Sequence, residues 1–162
     1  MSRVLVTGAT RGLGRALVKQ LSRRDHEVVA TGRRLEDMAD LPASETLVLD
    51  LTNPASIEAA MAAAGRLDVV INNAAMTVSG PVEAVPANLV EQVLATNVLG
   101  PLQVMQAVLP TMRRQGSGRI LNIFSPAGRF APPWKGCFRP PRPPWKCSAR
   151  QSGLRPDTLA CR

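Results

Sequence analysis

The chain has 162 residues, 45% of them apolar and 20% charged, which suits one globular domain with a sizeable core and leaves little room for a second. Its formal charge of +8 raises the idea of a nucleic-acid or anionic-surface partner. The distribution argues against one: residues 1–133 carry 13 Lys+Arg against 11 Asp+Glu, whereas residues 134–162 carry 7 against 1.

Arg3-Val4-Leu5-Val6-Thr7 is a short apolar, β-branched run that predicts a buried strand. The glycine-rich Gly8-Ala9-Thr10-Arg11-Gly12-Leu13-Gly14 breaks it. A helical pattern then runs through Leu17 and Leu21 to about Arg24. Glu27–Thr31 and Thr46–Leu49 read as the second and third strands. Asn53-Pro54 opens a helix, with Asn as cap and Pro at the first helical position. Ala-rich residues 55–64 continue it and Gly65 ends it. Asp68–Ile71 is a fourth strand. Residues 87–115 form a long helical stretch with a kink expected at Pro101 or Pro110. Gly116 and Gly118 end it, and Arg119–Phe124 is a fifth strand.

Strands alternating with helices predict an α/β fold, a doubly wound parallel sheet built by right-handed crossovers. Such sheets bind ligands beyond the carboxyl ends of their strands, so the residues following each strand carry the functional reading. After the first strand, Thr7–Gly14 would let backbone approach a diphosphate and aim the N–H groups of a helix at it; a plain tight turn reads the same way. After the second, Arg33 and Arg34, with Arg11 in the glycine turn, suit a ribose 2′-phosphate or a solvated surface pair. After the third, the Asp50 carboxylate, in Asp50-Leu51-Thr52, could accept the amino group of adenine or merely cap the next turn. After the fourth, Asn72-Asn73-Ala74-Ala75 places two amides beside small residues, with an Asx turn as the plainer reading.

Taken together these segments resemble the short-chain dehydrogenase/reductase family. Its T-G-x-x-x-G-x-G motif is matched by Thr7, Gly8, Gly12 and Gly14. Its N-N-A-G motif is matched by Asn72, Asn73 and Ala74, with Ala75 in place of the glycine. Asp50 matches its acid at the end of the third strand. Asn97, in Thr96-Asn97-Val98-Leu99-Gly100, matches its helical active-site Asn. Asn122-Ile123-Phe124-Ser125-Pro126-Ala127-Gly128 resembles its fifth-strand ending with the catalytic Ser. The resemblance runs from about residue 3 to about residue 133. It implies a Rossmann-type fold and hydride transfer between a nicotinamide cofactor and a carbonyl or alcohol substrate. NADP(H) is expected over NAD(H), bound by Thr7, Gly8, Thr10, Arg11, Gly12, Leu13, Gly14, Arg33, Arg34, Asp50, Leu51, Asn73, Ala74 and Ala75. Ser125 is expected to bond the substrate oxygen, and Asn97 to hold a water of the proton relay.

The chain departs from the family near Pro133. The family's general acid/base is a Tyr whose pKa a Lys four residues on lowers; a phenol is otherwise a poor base at neutral pH. Here Lys135–Pro140 occupies the place of the Tyr, and the sequence contains no Tyr. Phe138 stands nearest, and Arg142 falls where the Lys belongs. Pro140, Pro141, Pro143 and Pro144 would break the helix that should carry them. Residues 134–162 therefore read as a basic, Pro-rich tail following a partial NAD(P)-binding domain at 1–133, its sheet incomplete at the C-terminal edge. A shifted reading frame explains the change: Phe138 through Lys146 can be back-translated so that another frame gives Ser-Ala-Ser-Lys-Ala-Pro-Leu-Glu, although the preceding codon gives Phe or Leu rather than Tyr. A Pro-rich ligand for an SH3-like groove is the alternative for this tail. Turnover is expected to be absent or very low, leaving a nucleotide-binding remnant. An uncovered fifth strand implies a marginal monomer or a sticky oligomer.

All three cysteines (Cys137, Cys147 and Cys161) lie in the tail, and His26 is the single histidine. No metal-ligand spacing emerges, so no metal is expected, and the thiols read as reduced in a cytoplasmic protein. No apolar run approaches membrane-spanning length and no signal peptide is apparent. The expected partner is a small molecule, not a membrane or nucleic acid.

Overall fold

A computed structural model describes residues 1–125. The elements are β1 (Arg3–Val6), α1 (Gly12–Ser22), β2 (Glu27–Gly32), β3 (Glu45–Val48), α2 (Pro54–Ala64), β4 (Val69–Asn72), α3 (Ala87–Leu94), a π-helical turn (Ala95–Leu99), α4 (Gly100–Gln115) and β5 (Arg119–Asn122). The five strands form one parallel sheet in the order β3-β2-β1-β4-β5. The doubly wound architecture is thus present, with β1 at its centre. The expected tail at 134–162, with its frameshift and Pro-rich readings, lies outside the described residues.

The apolar continuity of β1 follows from its position, since a central parallel strand is covered on both faces. Leu5 aligns with Val29 on one side and Val70 on the other, and Val70 aligns with Ile120. This row packs under α2 and α4 with Ile57, Ala60, Met61, Val104, Met105 and Val108. On the opposite face Val4, Val6, Val28, Ala30 and Ile71 pack with Val18 of α1, Met38 and Leu41. Each large aliphatic side chain so buried contributes about 1.5–3 kcal/mol of transfer free energy. At the amino ends of the strands Arg3 pairs with Glu27 and with Glu45 (2.5 Å), and its backbone N–H donates to Asp68 (2.8 Å). That clasp fixes the end of the sheet away from the glycine turn.

Several sequence boundaries shift. Thr7 leaves β1 and enters the turn, β3 lies one residue earlier than read, and β5 stops at Asn122. Asn53 caps α2 as expected, accepting from Ala55 N–H (3.0 Å) and Ser56 N–H (3.4 Å). The irregularity in residues 87–115 is centred neither on Pro101 nor on Pro110; it occupies Ala95–Leu99. Pro101 has no N–H to return to the Asn97 carbonyl, and the preceding ladder slips by one residue, with Gly100 N–H reaching Ala95 O. The uninterrupted Ala87–Gln115 helix, 29 residues, is by length and composition sufficient to cross a membrane. This corrects the expectation that no stretch reaches that length: its apolar residues are spread between polar ones rather than forming a solid run. Within this fold Val104, Met105, Val108 and Met112 of the helix are buried against the sheet. Among the described residues β5 is the outer strand on its side, and Leu121, Ile123 and Phe124 are exposed there, Phe124 by 61%.

Candidate nucleotide site

The glycine turn is fastened to the segment after β4. Thr7 is fully buried. Its hydroxyl accepts from the backbone N–H groups of Asn73 and Ala74, both at 3.0 Å. The Asn73 amide returns the contact, donating to the carbonyls of Thr7 (2.9 Å) and Gly8 (3.2 Å). Asn73 therefore reaches across the sheet, and the Asx-turn reading is set aside. Gly8 has φ +68°, and a Cβ there would lie 2.8 Å from Ala74 Cα. A Cβ on Gly14 would lie 2.2 Å from the Gly8 carbonyl oxygen and 2.6 Å from Asn73 Nδ2. Only bare backbone fits at both positions. Arg11 sits at the N-cap of α1 in extended conformation and offers no side-chain cap. The first-turn N–H groups of α1 thus face outward without a capping side chain, a suitable cradle for an anion. Gly12 and Leu13 are exposed on this rim.

Next to it lies the end of β2. Thr31 is buried and donates to the Val6 carbonyl (3.2 Å), while Ala9 N–H donates to the Thr31 carbonyl (2.8 Å). Thr10 packs over Gly32, where a Cβ would meet its Cγ2 at 2.6 Å. Arg33 and Arg34 are both exposed but differ in commitment. Arg34 forms a two-pronged pair with Asp37 at 3.0 and 3.1 Å, which raises its pKa. Among the described residues Arg33 makes no ion pair. Asp50 does cap the next turn, accepting from the Thr52 hydroxyl (2.7 Å) and N–H (2.9 Å) through one carboxylate oxygen. Those bonds, with the nearby positive charge of Arg33, hold its carboxyl below the ordinary aspartate range. Its second oxygen remains for another donor, so capping and adenine recognition are compatible.

Farther along the same sheet edge, Asn97 is held in the π-turn. Its side chain accepts from Met76 N–H and donates to Met76 carbonyl, both at 2.8 Å. One donor and one acceptor of the amide thus fix the exit of β4, and a second N–H and lone pair remain for other partners. Asn72, buried, donates to the Asn122 side-chain oxygen at 2.8 Å, and Ile123 N–H donates to the Asn72 carbonyl at 2.9 Å. This amide pair locks the ends of β4 and β5 beside one another. Ser125, exposed, follows directly. Ala75 is exposed beyond Ala74, and Leu51 is buried under the Asp50 turn.

A family profile described as short chain dehydrogenase matches residues 2–138. The chain belongs to the short-chain dehydrogenase family. It is 34% identical over 139 residues to a 3-ketodihydrosphingosine reductase of Bacteroides thetaiotaomicron, covering 83% of this chain and 51% of that protein. A crystal structure of a short-chain dehydrogenase from Streptomyces avermitilis superposes with a TM-score of 0.80 at 33% identity, over 85% of this chain and 54% of that one. A closed form of serine dehydrogenase complexed with NADP+ superposes with a TM-score of 0.78 at 31% identity, covering 85% of this chain and 59% of that one. The chain spans about half the length of the curated relatives it matches.

Proteins of this family are oxidoreductases that act on small molecules with a nicotinamide cofactor. The described residues assemble the glycine turn, Asn73–Ala74, Arg33 and Asp50 along one sheet edge, as the strand order requires. Two contributors were missed in the sequence. Thr31 looked like an ordinary strand residue, and nothing local marks its bond to β1. Gly100 lay inside the helical stretch expected at 87–115, and its contact is with a loop that is remote in sequence.

Proposed function

We propose that this sheet edge binds NADP(H) in preference to NAD(H), and that the chain binds it without turning it over. The observation that carries the preference is Arg33: it is exposed at the end of β2 beside the glycine turn and is without an ion pair among the described residues. Guanidinium groups recognise phosphate through paired, charge-assisted bonds, and Arg33 with Arg11 supplies that charge. Arg34 is a weaker contributor because Asp37 already holds it. The NADP+ bound to the similar serine dehydrogenase supports the same choice.

The residues present fit such a nucleotide. Close backbone approach at Gly8 and Gly14, together with the uncapped N-terminus of α1, suits the diphosphate. Asp50 keeps one oxygen for the adenine amino group, and the adjoining Leu51 anchors that loop in the core. Thr7, Asn73, Ala74 and Ala75 fix the exit of β4 against the turn, with Thr10 and Leu13 on its rim. The chemistry that such a cofactor would supply is the hydride that the family exchanges with a carbonyl or alcohol carbon. Ser125 offers a hydroxyl to the substrate oxygen, and Asn97 holds the local backbone in shape. Proton transfer is what is missing. Phe138 has no ionisable proton, and no Tyr occurs in the sequence.

The break in composition near Pro133 fits a shifted reading frame, which sequencing of the coding DNA and transcript from Phe124 to Arg150 would reveal. For the chain as it stands, NADPH fluorescence is expected to saturate on titration, while no hydride transfer to a panel of carbonyl substrates is detected. Turnover would refute the inactive reading, and a featureless titration would refute the binding one.

A further inference from the structure

Glycine is disfavoured inside a helix, yet Gly100 begins α4 in the middle of an uninterrupted helical run and is buried there. Its surroundings explain the choice. A Cβ at this position would lie 2.6 Å from Leu51 Cβ, 2.9 Å from the Leu51 carbonyl oxygen and 3.2 Å from the Ala95 carbonyl oxygen. Two of these are backbone atoms, and none can swing aside like the tip of a flexible chain. The loop it touches is held from its far side. Asp50 N–H donates to Ser56 Oγ (3.0 Å), Asn53 N–H donates to the Asp50 carbonyl (3.1 Å), and Leu51 is buried in the core with Ile57 and Val104. The same Gly100 donates its N–H to Ala95 and so closes the π-turn that presents Asn97 to Met76.

We propose that Gly100 is a positioning residue for adenine recognition: its bare Cα sets how closely the Asp50–Leu51 loop lies on α4 and ties that loop to the turn carrying Asn97. The inference rests on the nucleotide-binding reading above. A methyl group at Gly100 pushes the loop away from α4 and carries the free oxygen of Asp50 with it. The diphosphate cradle is built from the glycine turn, α1 and Asn73–Ala74, none of which a Cβ at Gly100 would meet, and it stays in place.

The test uses the full chain and two probes, 2′,5′-ADP, which contains adenine, and inorganic pyrophosphate, which does not. Gly100→Ala is expected to weaken 2′,5′-ADP binding by about tenfold or more, since displacements approaching 1 Å carry penalties of that order. Pyrophosphate affinity is expected to change by less than about twofold, as independent sites do. Met112→Ala, at the far end of the same helix where it packs against Gly118, serves as the structural control: it should lower the melting temperature and leave the ratio of the two affinities unchanged. Equal losses for both probes, or none, overturn the proposal. If Gly100→Ala does not fold, amide exchange in the unmodified chain decides. Slowing at both Thr52 and Gly100 on adding 2′,5′-ADP supports the linkage, and slowing at Thr52 alone overturns it. Failure of the unmodified chain to bind either probe would refute the underlying reading, whereas a variant that binds like the parent refutes this inference alone.

Discussion

Replacing Thr7 by Val keeps the shape of the side chain and removes its hydroxyl. That oxygen accepts two backbone N–H groups, from Asn73 and Ala74, each at 3.0 Å. Leaving a buried donor without a partner costs about 1–3 kcal/mol. Both donors belong to half-buried residues, so the lower part of that range applies to each, giving about 2–3 kcal/mol in total. Thr7→Ser is the discriminating companion. It keeps the hydroxyl and loses one methyl group, worth about 0.8 kcal/mol. Equilibrium unfolding in urea should therefore rank the parent above Thr7→Ser and Thr7→Ser well above Thr7→Val. Nucleotide affinity should fall in the same order, because the freed β4 exit no longer holds the glycine turn. A Thr7→Val protein within about 0.5 kcal/mol of Thr7→Ser would show that the hydroxyl does not fasten the turn.

Two further outcomes follow from the loop after β3. Asn53→Ala removes the cap that accepts from Ala55 and Ser56 and should cost about 1 kcal/mol in thermal or urea unfolding; Asn53→Ser should recover most of it. Asp50 has a lowered pKa in the folded chain, chiefly through its bonds from Thr52, so its contribution is complete above the unfolded aspartate value and is lost as pH falls through the folded one. Asp50→Asn should remove that part of the acid-side decline in stability, seen as a shallower slope of unfolding free energy against pH; an unchanged slope would show that Asp50 gains nothing from Thr52.

The parts of this fold legible in the sequence are those in which neighbouring residues share one fate. Val4, Leu5 and Val6 are all buried because β1 is covered on both faces, so an unbroken apolar run announces the strand. Asn53-Pro54 and Gly65 bracket α2 through purely local chemistry. The glycine turn and the Asn72–Ala75 segment were legible as a joint pattern. What stayed hidden are contacts between distant stretches: Thr7 with Asn73, Asn97 with Met76, Asn72 with Asn122 and Gly100 with Leu51. The π-turn was misplaced onto prolines for the same reason. Proline marks a lost donor, but the ladder accommodates the loss in the turn before it, where Gly100 reaches Ala95. The two arginines after β2 looked alike in sequence, and only the position of Asp37 separates them.

The most direct measurement is a calorimetric titration of the full chain with 2′,5′-ADP and with 5′-AMP, repeated on Arg33→Ser. Recognition of a 2′-phosphate by Arg33 predicts that the parent binds 2′,5′-ADP more tightly by about tenfold or more, the value of one charge-assisted contact. The variant should lose most of that preference while keeping its affinity for 5′-AMP. Equal affinity for the two ligands in the parent, or an undiminished preference in Arg33→Ser, would contradict the account.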